Sequence, residues 1–200
     1  MSCINKCIIA SLFLMTQFLF SQDSKFSVEA NFPIAVGSGF FGEDFSGIAD
    51  IGVKYRIVNV SNINLGVSVN GSYFKKKVQL YLPSYPDDFQ DPYAAAEINN
   101  FTILPRVFAE LNIESLPKFR PFMGLGYSFL VFNAASHSSQ ASSSVTLKGL
   151  NGNVGAYYLL TKSLFAQFQY DYITLFDVNV LSPSQTTNVS IIKLGLGIML

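Results

Sequence analysis

The first candidates for chemistry are His137, the only histidine, and Ser139, two residues after it. A histidine that accepts the proton of a serine hydroxyl would permit nucleophilic acyl transfer. Five further serines occur in the same stretch, namely Ser136, Ser138, Ser142, Ser143 and Ser144. Because so many serines make this spacing almost inevitable, we interpret the segment as a solvent-exposed loop and predict no catalytic residue. A single histidine also excludes a metal site built from several histidines, and we predict neither a metal nor a cofactor.

Nine charged residues occupy alternate positions within otherwise apolar segments. They are Glu29, Asp50, Lys54, Arg56, Arg106, Glu110, Arg120, Asp171 and Lys193. Four acids and five bases could neutralise one another in an enclosed space, where an unpaired charge costs several kcal/mol. We expect Arg106 and Glu110, four residues apart on one face, to form a structural salt bridge. A proton or ion path through this pair is the alternative.

The composition limits the classes of protein that these residues can belong to. Charged residues make up 13% of the 200 residues and apolar residues 50%, against roughly 25% charged in an ordinary soluble domain. Such a chain is too apolar for intrinsic disorder. Its 13 basic and 13 acidic groups leave no basic surplus with which to bind nucleic acid. The composition therefore indicates a membrane protein of about one domain.

Residues 1–21 have the features of a secretory signal peptide. Lys6 is the only charge, and the apolar run at residues 8–20 has the length of a signal core rather than of a membrane-spanning helix. We predict cleavage after Ser21, with an uncleaved anchor as the alternative. Both cysteines, Cys3 and Cys7, fall in this segment. The predicted mature chain, residues 22–200, therefore has no thiol chemistry.

From residue 26 onward, apolar residues recur at every second position, which is the period of a strand whose two faces meet different surroundings. In the clearest segment, Leu65, Val67 and Val69 alternate with polar residues and glycine. Eight such segments occur, at residues 28–34, 49–57, 63–73, 101–111, 119–129, 150–158, 164–172 and 192–200. Most have about the 9–11 residues that a tilted strand needs to cross a bilayer.

The connections between the segments alternate in length. Short connections are expected near residues 58–62, 114–118 and 161–163, and long ones near 35–46, 75–98, 134–147 and 175–188. Transmembrane barrels have short periplasmic turns and longer external loops, whereas a soluble sandwich has no reason to put every long loop at one end. The pattern predicts an all-β, eight-stranded antiparallel up-and-down transmembrane barrel, preceded by the cleaved signal peptide.

The polar face is predicted to point into the lumen and the apolar face toward lipid. Glycine recurs on the polar face, at positions 52, 66, 124, 126, 155, 195 and 197, where missing side chains make room inside a narrow barrel. Tyrosine and phenylalanine flank an aliphatic band on the other face, as in membrane barrels. Because a closed barrel has no edge strand, Pro33, Pro105 and Pro121 are expected at strand ends or bulges.

With strands and loops placed, the predicted mature chain resembles the small eight-stranded outer-membrane barrels of the OmpA/OmpX type. Residues 120–127 (RPFMGLGY) look like a strand common in that superfamily. The chain end looks like its C-terminal insertion signal, carried by Lys193, Gly195, Ile198 and Leu200. The resemblance implies an integral outer-membrane location in a Gram-negative envelope and the barrel-assembly machinery as a transient partner. Leu200 departs from the aromatic residue that commonly ends this signal.

The loops provide the remaining functional candidates. Lys75, Lys76 and Lys77 open the longest loop, and Asp87, Asp88, Asp91 and Glu97 close it. These charges could bind anionic lipopolysaccharide or calcium, but we favour pairing within the loop. Four aromatic residues, Tyr81, Tyr85, Phe89 and Tyr93, add contact area for an extracellular ligand.

We therefore expect a non-enzymatic integral outer-membrane barrel with a plugged polar lumen, whose long loops serve surface interaction or envelope integrity. One alternative is a lipid-modifying enzyme, because the spacing of His137 and Ser139 is similar to the pair of outer-membrane lipid A deacylases. Another is a secreted soluble barrel that resembles a lipocalin and carries an apolar ligand. The chain has no tryptophan, which lipocalins usually carry on their first strand.

Overall fold

The chain forms one closed antiparallel barrel of eight strands in a computed structural model that describes residues 25–37, 41–42, 44–81, 93–136, 142–176 and 187–200. The strands are β1 (Phe26–Val36), β2 (Ser46–Val60), β3 (Ile63–Tyr81), β4 (Tyr93–Leu111), β5 (Phe119–Ser136), β6 (Ser142–Leu159), β7 (Leu164–Leu175) and β8 (Asn188–Met199). Each strand pairs with the next in sequence, and β8 pairs with β1 to close the ring. The predicted fold class is confirmed. The predicted signal peptide, residues 1–21, lies outside the described residues.

Within those ranges, no helix has the length and apolarity needed to cross a membrane.

The two faces of the strands follow the predicted alternation. On β3, Leu65, Val67 and Val69 are exposed on the outer surface, while the residues between them are buried. Leu125 and Leu194 on the outer surface are 71% and 50% exposed. Successive side chains of a strand point to opposite faces, so one period-two pattern supplies both the lipid-facing surface and the filled interior. A soluble lipocalin-like barrel is contradicted, because its apolar side chains would face the centre.

Three connections are short and lie at one end, which we call the short-turn end. They comprise residues 61–62, 112–118 and 160–163. In the two-residue turn, Ser61 adopts a left-handed φ of 56°, which matches the twist of a tight hairpin. We call the opposite end, where the longer connections lie, the long-loop end.

All eight strands are longer than the sequence pattern predicts, and four of them by seven residues or more. β3 and β4 have 19 residues each, and β5 and β6 have 18. The prediction of loops throughout residues 75–98 and 134–147 is therefore wrong at their edges, since pairing continues to Tyr81↔Tyr93 and to Ala135↔Ser142. Beyond the bilayer both faces of a strand meet water, so pairing can continue without apolar alternation.

Two of the three strand prolines lie just beyond the end of one of the two ladders of their strand. The β1–β2 pairs end at Asn31, before Pro33, and the β4–β5 pairs begin at Phe122, after Pro121. Pro105 does not follow the expectation of a strand end or bulge. The β4–β5 ladder skips Leu104 and Pro105 and resumes in the same register, because a proline removes one amide donor without changing the residue count.

Candidate functional site: the barrel interior

The interior at the long-loop end is apolar, in contrast to the predicted polar lumen. We call this cluster the upper apolar layer; it consists of Ala35, Phe41, Phe45, Phe74, Leu104, Leu130, Phe132, Leu147, Ile173, Leu175, Val189 and Ile191. Phe41 and Phe45 come from the β1–β2 connection and stack with ring centroids 4.5 Å apart. Phe41 also meets Phe74 of β3 edge-on at 4.8 Å. Two aromatic rings of the connection thus pack inside the long-loop end of the barrel.

A layer of six charged residues lies below the upper apolar layer. This central ion layer consists of Glu29, Asp50, Lys54, Arg106, Asp171 and Lys193, all buried. Lys193 Nζ lies 2.6 Å from Asp50 Oδ2 and 2.9 Å from Asp171 Oδ2. Arg106 Nη2 contacts the same Asp171 oxygen at 3.0 Å, and Lys54 Nζ contacts Glu29 Oε2 at 2.8 Å. Three acids and three bases make the layer neutral.

Two asparagines connect the ion pairs of the central ion layer. Asn31 Nδ2 donates to Asp50 Oδ1 at 2.7 Å, and Asn70 Nδ2 donates to Glu29 Oε1 at 2.8 Å. The Asn70 oxygen accepts from Arg106 Nη1 at 3.3 Å. Hydrogen bonds to the remaining lone pairs are what a buried ion pair needs to offset its loss of hydration. The layer is therefore a continuous network across the barrel.

A second apolar cluster closes the interior below the ions. This lower apolar layer consists of Phe122, Tyr157, Phe165 and Met199, with Leu159 against it. The rings of Tyr157 and Phe165 lie 4.9 Å apart. Lys54 Nζ stands 3.9 Å above the ring of Phe122, so this lysine is held between a carboxylate and the face of an aromatic ring.

The other three predicted charges form a separate cluster at the short-turn end. Arg56 donates from Nε and Nη2 to Glu110 Oε2, at 3.0 and 2.8 Å. Arg120 Nη1 reaches Glu110 Oε1 at 3.3 Å, and Asn64 Nδ2 donates to the same oxygen at 2.9 Å. One carboxylate thus serves two guanidinium groups, which leaves this group with a charge of +1.

The expected salt bridge between Arg106 and Glu110 is wrong. Arg106 pairs with Asp171 and Glu110 pairs with Arg56 and Arg120. A strand rises about 3.3 Å per residue, so residues four apart on one strand are separated by about 13 Å. All nine predicted charges have an opposite charge within 3.3 Å, but each partner lies on another strand.

The residues of the predicted C-terminal signal have different positions in the barrel. Lys193 belongs to the central ion layer, and Ile198 is exposed on the outer surface. A Cβ at Gly195 would stand 2.0 Å from Asn31 Oδ1, so only glycine fits beside that amide. The backbone N–H of Leu200 donates to the carbonyl of Phe26 at 2.8 Å.

Sequence reasoning missed the inward-facing apolar residues. Leu104, Ile173 and Ile191 are each fully buried, and each follows or precedes another apolar residue on its strand. Such a pair places one side chain outside and one inside. The signal that could have found the upper apolar layer is therefore the interruption of alternation near the long-loop ends.

Several loop candidates fall outside the described residues, namely His137, Ser139, Asp87, Asp88, Asp91, Tyr85 and Phe89. At the described edge of the longest loop, Lys76 Nζ lies 2.9 Å from Asp44 Oδ2 on the β1–β2 connection. Lys77 and Glu97 are register partners across β3 and β4. In the part of the chain that the structure describes, no three His, Cys, Asp or Glu side chains gather as a metal site would require.

Comparisons with known proteins place this barrel among outer-membrane proteins. The family described as "Outer membrane protein beta-barrel domain" matches residues 7–199. Neisserial surface protein A is similar in structure, with a TM-score of 0.62 and 18% identity over 88% of this chain and 98% of that one. Ail, the attachment invasion locus protein of Yersinia pestis, has a TM-score of 0.55 and 14% identity over 86% and 95%. OprG from Pseudomonas aeruginosa has a TM-score of 0.51 and 15% identity over 86% and 94%. No curated protein sequence matches the chain.

Proposed function

Because this chain belongs to the outer membrane protein beta-barrel family, we propose that it is a non-enzymatic, non-conducting barrel. It would hold two β-ribbons at the cell surface for contact with an extracellular partner. The outer membrane places the barrel wall in lipid, so only its two ends meet water. The observation that carries the proposal is the length of the strands at the long-loop end.

The β3–β4 ribbon consists of residues 75–81 paired with residues 93–99, and the β5–β6 ribbon of residues 131–135 paired with residues 142–146. A strand needs about 9–11 residues to cross a bilayer, and β3 and β4 have 19 each. The seven pairs of the β3–β4 ribbon, at about 3.3 Å each, give it a length of about 23 Å along its strands. A paired ribbon of this length offers a preformed surface for binding.

The layered interior supports the absence of conduction. An eight-stranded barrel is just wide enough to be filled by side chains. Here an apolar layer lies on each side of the neutral central ion layer, and the upper layer includes the aromatic rings of Phe41 and Phe45. An ion entering this interior would have to displace paired charges. We expect no current above that of an empty planar bilayer after insertion of the purified protein.

Surface presentation can be tested by cysteine labelling on intact cells. Both natural cysteines lie in the predicted signal peptide, so a substituted cysteine would be the single thiol of the mature chain. We expect a membrane-impermeant maleimide to label Lys77→Cys, at an exposed position of the β3–β4 ribbon, and to leave Asn62→Cys in the short turn unlabelled. Labelling of Asn62→Cys alone would reverse the proposed orientation and refute the surface role of the ribbons.

Binding by the β3–β4 ribbon can be tested by shortening it. Residues 75–99, the whole β3–β4 ribbon with its loop, are replaced by Asn-Gly, which favours a tight hairpin; a second variant shortens the other ribbon by replacing residues 134–143 in the same way. Ail is known in complex with a heparin analogue, sucrose octasulfate, and Lys75 and Lys77 are exposed on this ribbon. We therefore measure the fraction of cells carrying the protein at their surface that is retained on immobilised heparin and on cultured epithelial cells. Retention that is unchanged by the first deletion on both surfaces would contradict the proposal.

The predicted processing and assembly steps are also part of the proposal. Cleavage after Ser21 would give a mature protein that begins at Gln22, which N-terminal sequencing of the membrane-extracted chain can establish. The segment carrying Lys193, Gly195, Ile198 and Leu200 would engage the barrel-assembly machinery transiently.

The alternative of a lipid-modifying enzyme has its own test. Ser139→Ala should leave lipid acylation of the cell envelope unchanged, and a change would favour the enzyme instead.

A further inference from the structure

The short-turn end contains a polar cavity of about 410 Å³ lined by four basic side chains, those of Lys25, Arg56, Arg120 and Lys162. Its lining, within the described residues, includes no carboxylate. Glu110 lies behind the cavity as the shared partner of Arg56 and Arg120, while Lys25 and Lys162 are exposed. Four bases against one acid leave a charge of +3, which would attract an anion.

The same cavity offers a hydrogen-bond acceptor as well as positive charge. Asn112 lines it, and Asn112 Oδ1 is buried without a hydrogen-bond partner among the described residues. A buried acceptor that stays unpaired costs free energy. A ligand that combines an anionic group with a hydroxyl would satisfy both features.

A second cavity, of about 830 Å³, lies on the outer wall and is lined almost entirely by apolar side chains, among them Leu65, Val107 and Leu125. Gly152 contributes to its depth because it presents no side chain between its register partners Leu125 and Tyr172. A Cβ at Gly152 would stand 3.3 Å from Leu125 Cδ2. The outer wall is therefore indented where a hydrocarbon chain could lie.

The two cavities meet at Ile57 and Val58, which line both. A register shift in the β2–β3 pairing occurs between Arg56 and Val58, and such irregularities re-aim side chains. It turns two consecutive apolar side chains outward, 54% and 48% exposed, directly after the inward-facing Arg56. One continuous depression thus runs from a basic, hydrogen-bonding end to an apolar groove.

We propose that this depression binds one anionic phospholipid from the leaflet at the short-turn end. Its phosphate would lie among Lys25, Arg120 and Lys162, its headgroup hydroxyl would donate to Asn112, and one acyl chain would lie along the groove. Basic pockets of membrane proteins bind anionic headgroups in this way. The site is at the opposite end from the ribbons and does not depend on their function.

The probe is phosphatidylglycerol, which has the anionic phosphate and free hydroxyls that the pocket fits. The full-length mature protein, folded in a neutral detergent, is titrated with it and followed by native mass spectrometry. We expect a saturable one-to-one complex and at least about tenfold weaker binding of phosphatidylcholine, whose headgroup has no net charge. Inorganic phosphate and glycerophosphoglycerol, which lack tails, should not compete at equal concentration. Equal binding of the two lipids, or equal competition by the tailless anions, would overturn the proposal.

Matched variants separate the two parts of the site. Lys25→Gln with Lys162→Gln should weaken phosphatidylglycerol binding about tenfold or more, whereas Lys75→Gln with Lys77→Gln, two exposed lysines at the other end, should not. All four lysines are exposed, so folding does not depend on them. An unchanged affinity in the first pair would refute the headgroup site.

The groove is tested with two glycines of the outer face. Gly152→Leu should fill the groove and weaken binding of phosphatidylglycerol. Gly71→Leu is the control, because a Cβ at Gly71 meets only Phe101, at 3.6 Å, outside the groove. Gel migration without heating shows whether each variant is folded. An equal loss of affinity in two folded variants would contradict the placement of the acyl chain.

Discussion

Replacement of Lys193 by methionine tests whether the central ion layer is sealed from water. Lys193 is fully buried and contacts both Asp50 and Asp171. The substitution keeps an apolar stem of similar length but leaves three acids against two bases in the layer. Asp50 then loses its salt bridge, although Asn31, Asn70 and Ser72 still donate hydrogen bonds to it.

Removing one partner of a buried ion pair costs about 3–5 kcal/mol, because the other charge stays buried. With a urea dependence of about 2 kcal/mol per M, Lys193→Met should lower the urea midpoint by about 2 M. The assay is unfolding of the protein in lipid vesicles, followed by the fraction that migrates as the compact form on a gel without heating.

The control is the double variant Lys193→Met with Asp50→Asn, which restores neutrality and keeps an oxygen to accept from Asn31. We expect it to recover more than half of the lost stability, since the coupling of two neighbouring charges makes their effects non-additive. If Lys193→Met unfolds at the wild-type midpoint, or if the double variant is less stable than the single one, the layer is hydrated and the reasoning fails.

Three further predictions concern the packing of the barrel. Gly126→Ala should prevent or strongly impair folding, because its Cβ would stand 2.0 Å from the Pro105 carbonyl oxygen; Gly71→Ala is the tolerated control, and gel migration without heating reads out both. Phe41→Ala should cost about 3–5 kcal/mol of unfolding free energy in the urea assay. The Phe41→Ala variant should still give no current in planar bilayers. An ion conductance would mean that Phe41 alone blocks the interior. Pro105→Ala should stabilise the barrel by about 1 kcal/mol, because the ladder beside it regains a donor; an unchanged urea midpoint would show that no acceptor is available there.

The fold could be predicted from the sequence because each strand must separate lipid from the barrel interior. This requirement produces the alternation of apolar and polar residues and also requires a closed sheet. In β3, Leu65 and Val67 must face lipid while Asn64 and Ser68 must avoid it, and this alternation survives in the linear order of residues. Barrel closure follows because an open sheet edge cannot exist in hydrocarbon. The alternation of short and long connections then indicated that each strand pairs with the next strand in the sequence.

The details of the interior could not be predicted, because they depend on which strands face each other across the barrel. Arg106 lies on β4 and its partner Asp171 on β7, and no linear spacing relates the two. Phe41 belongs to a connection, where no periodicity indicates burial. The strand extension through Lys77 also left no pattern, since a strand with water on both faces has no preferred alternation.

The contact between Lys193 and Asp50 joins residues 143 positions apart, on the last strand and on the second. A chain whose first seven strands had already entered the bilayer would still lack the cation that Asp50 requires. A sheet without β8 therefore has two free-energy costs, from the unpaired backbone groups at its open edge and from the buried Asp50 carboxylate without its cation. Both costs are removed when β8 pairs with β1 and β7. We therefore expect that a chain truncated before β8 does not insert stably into the membrane.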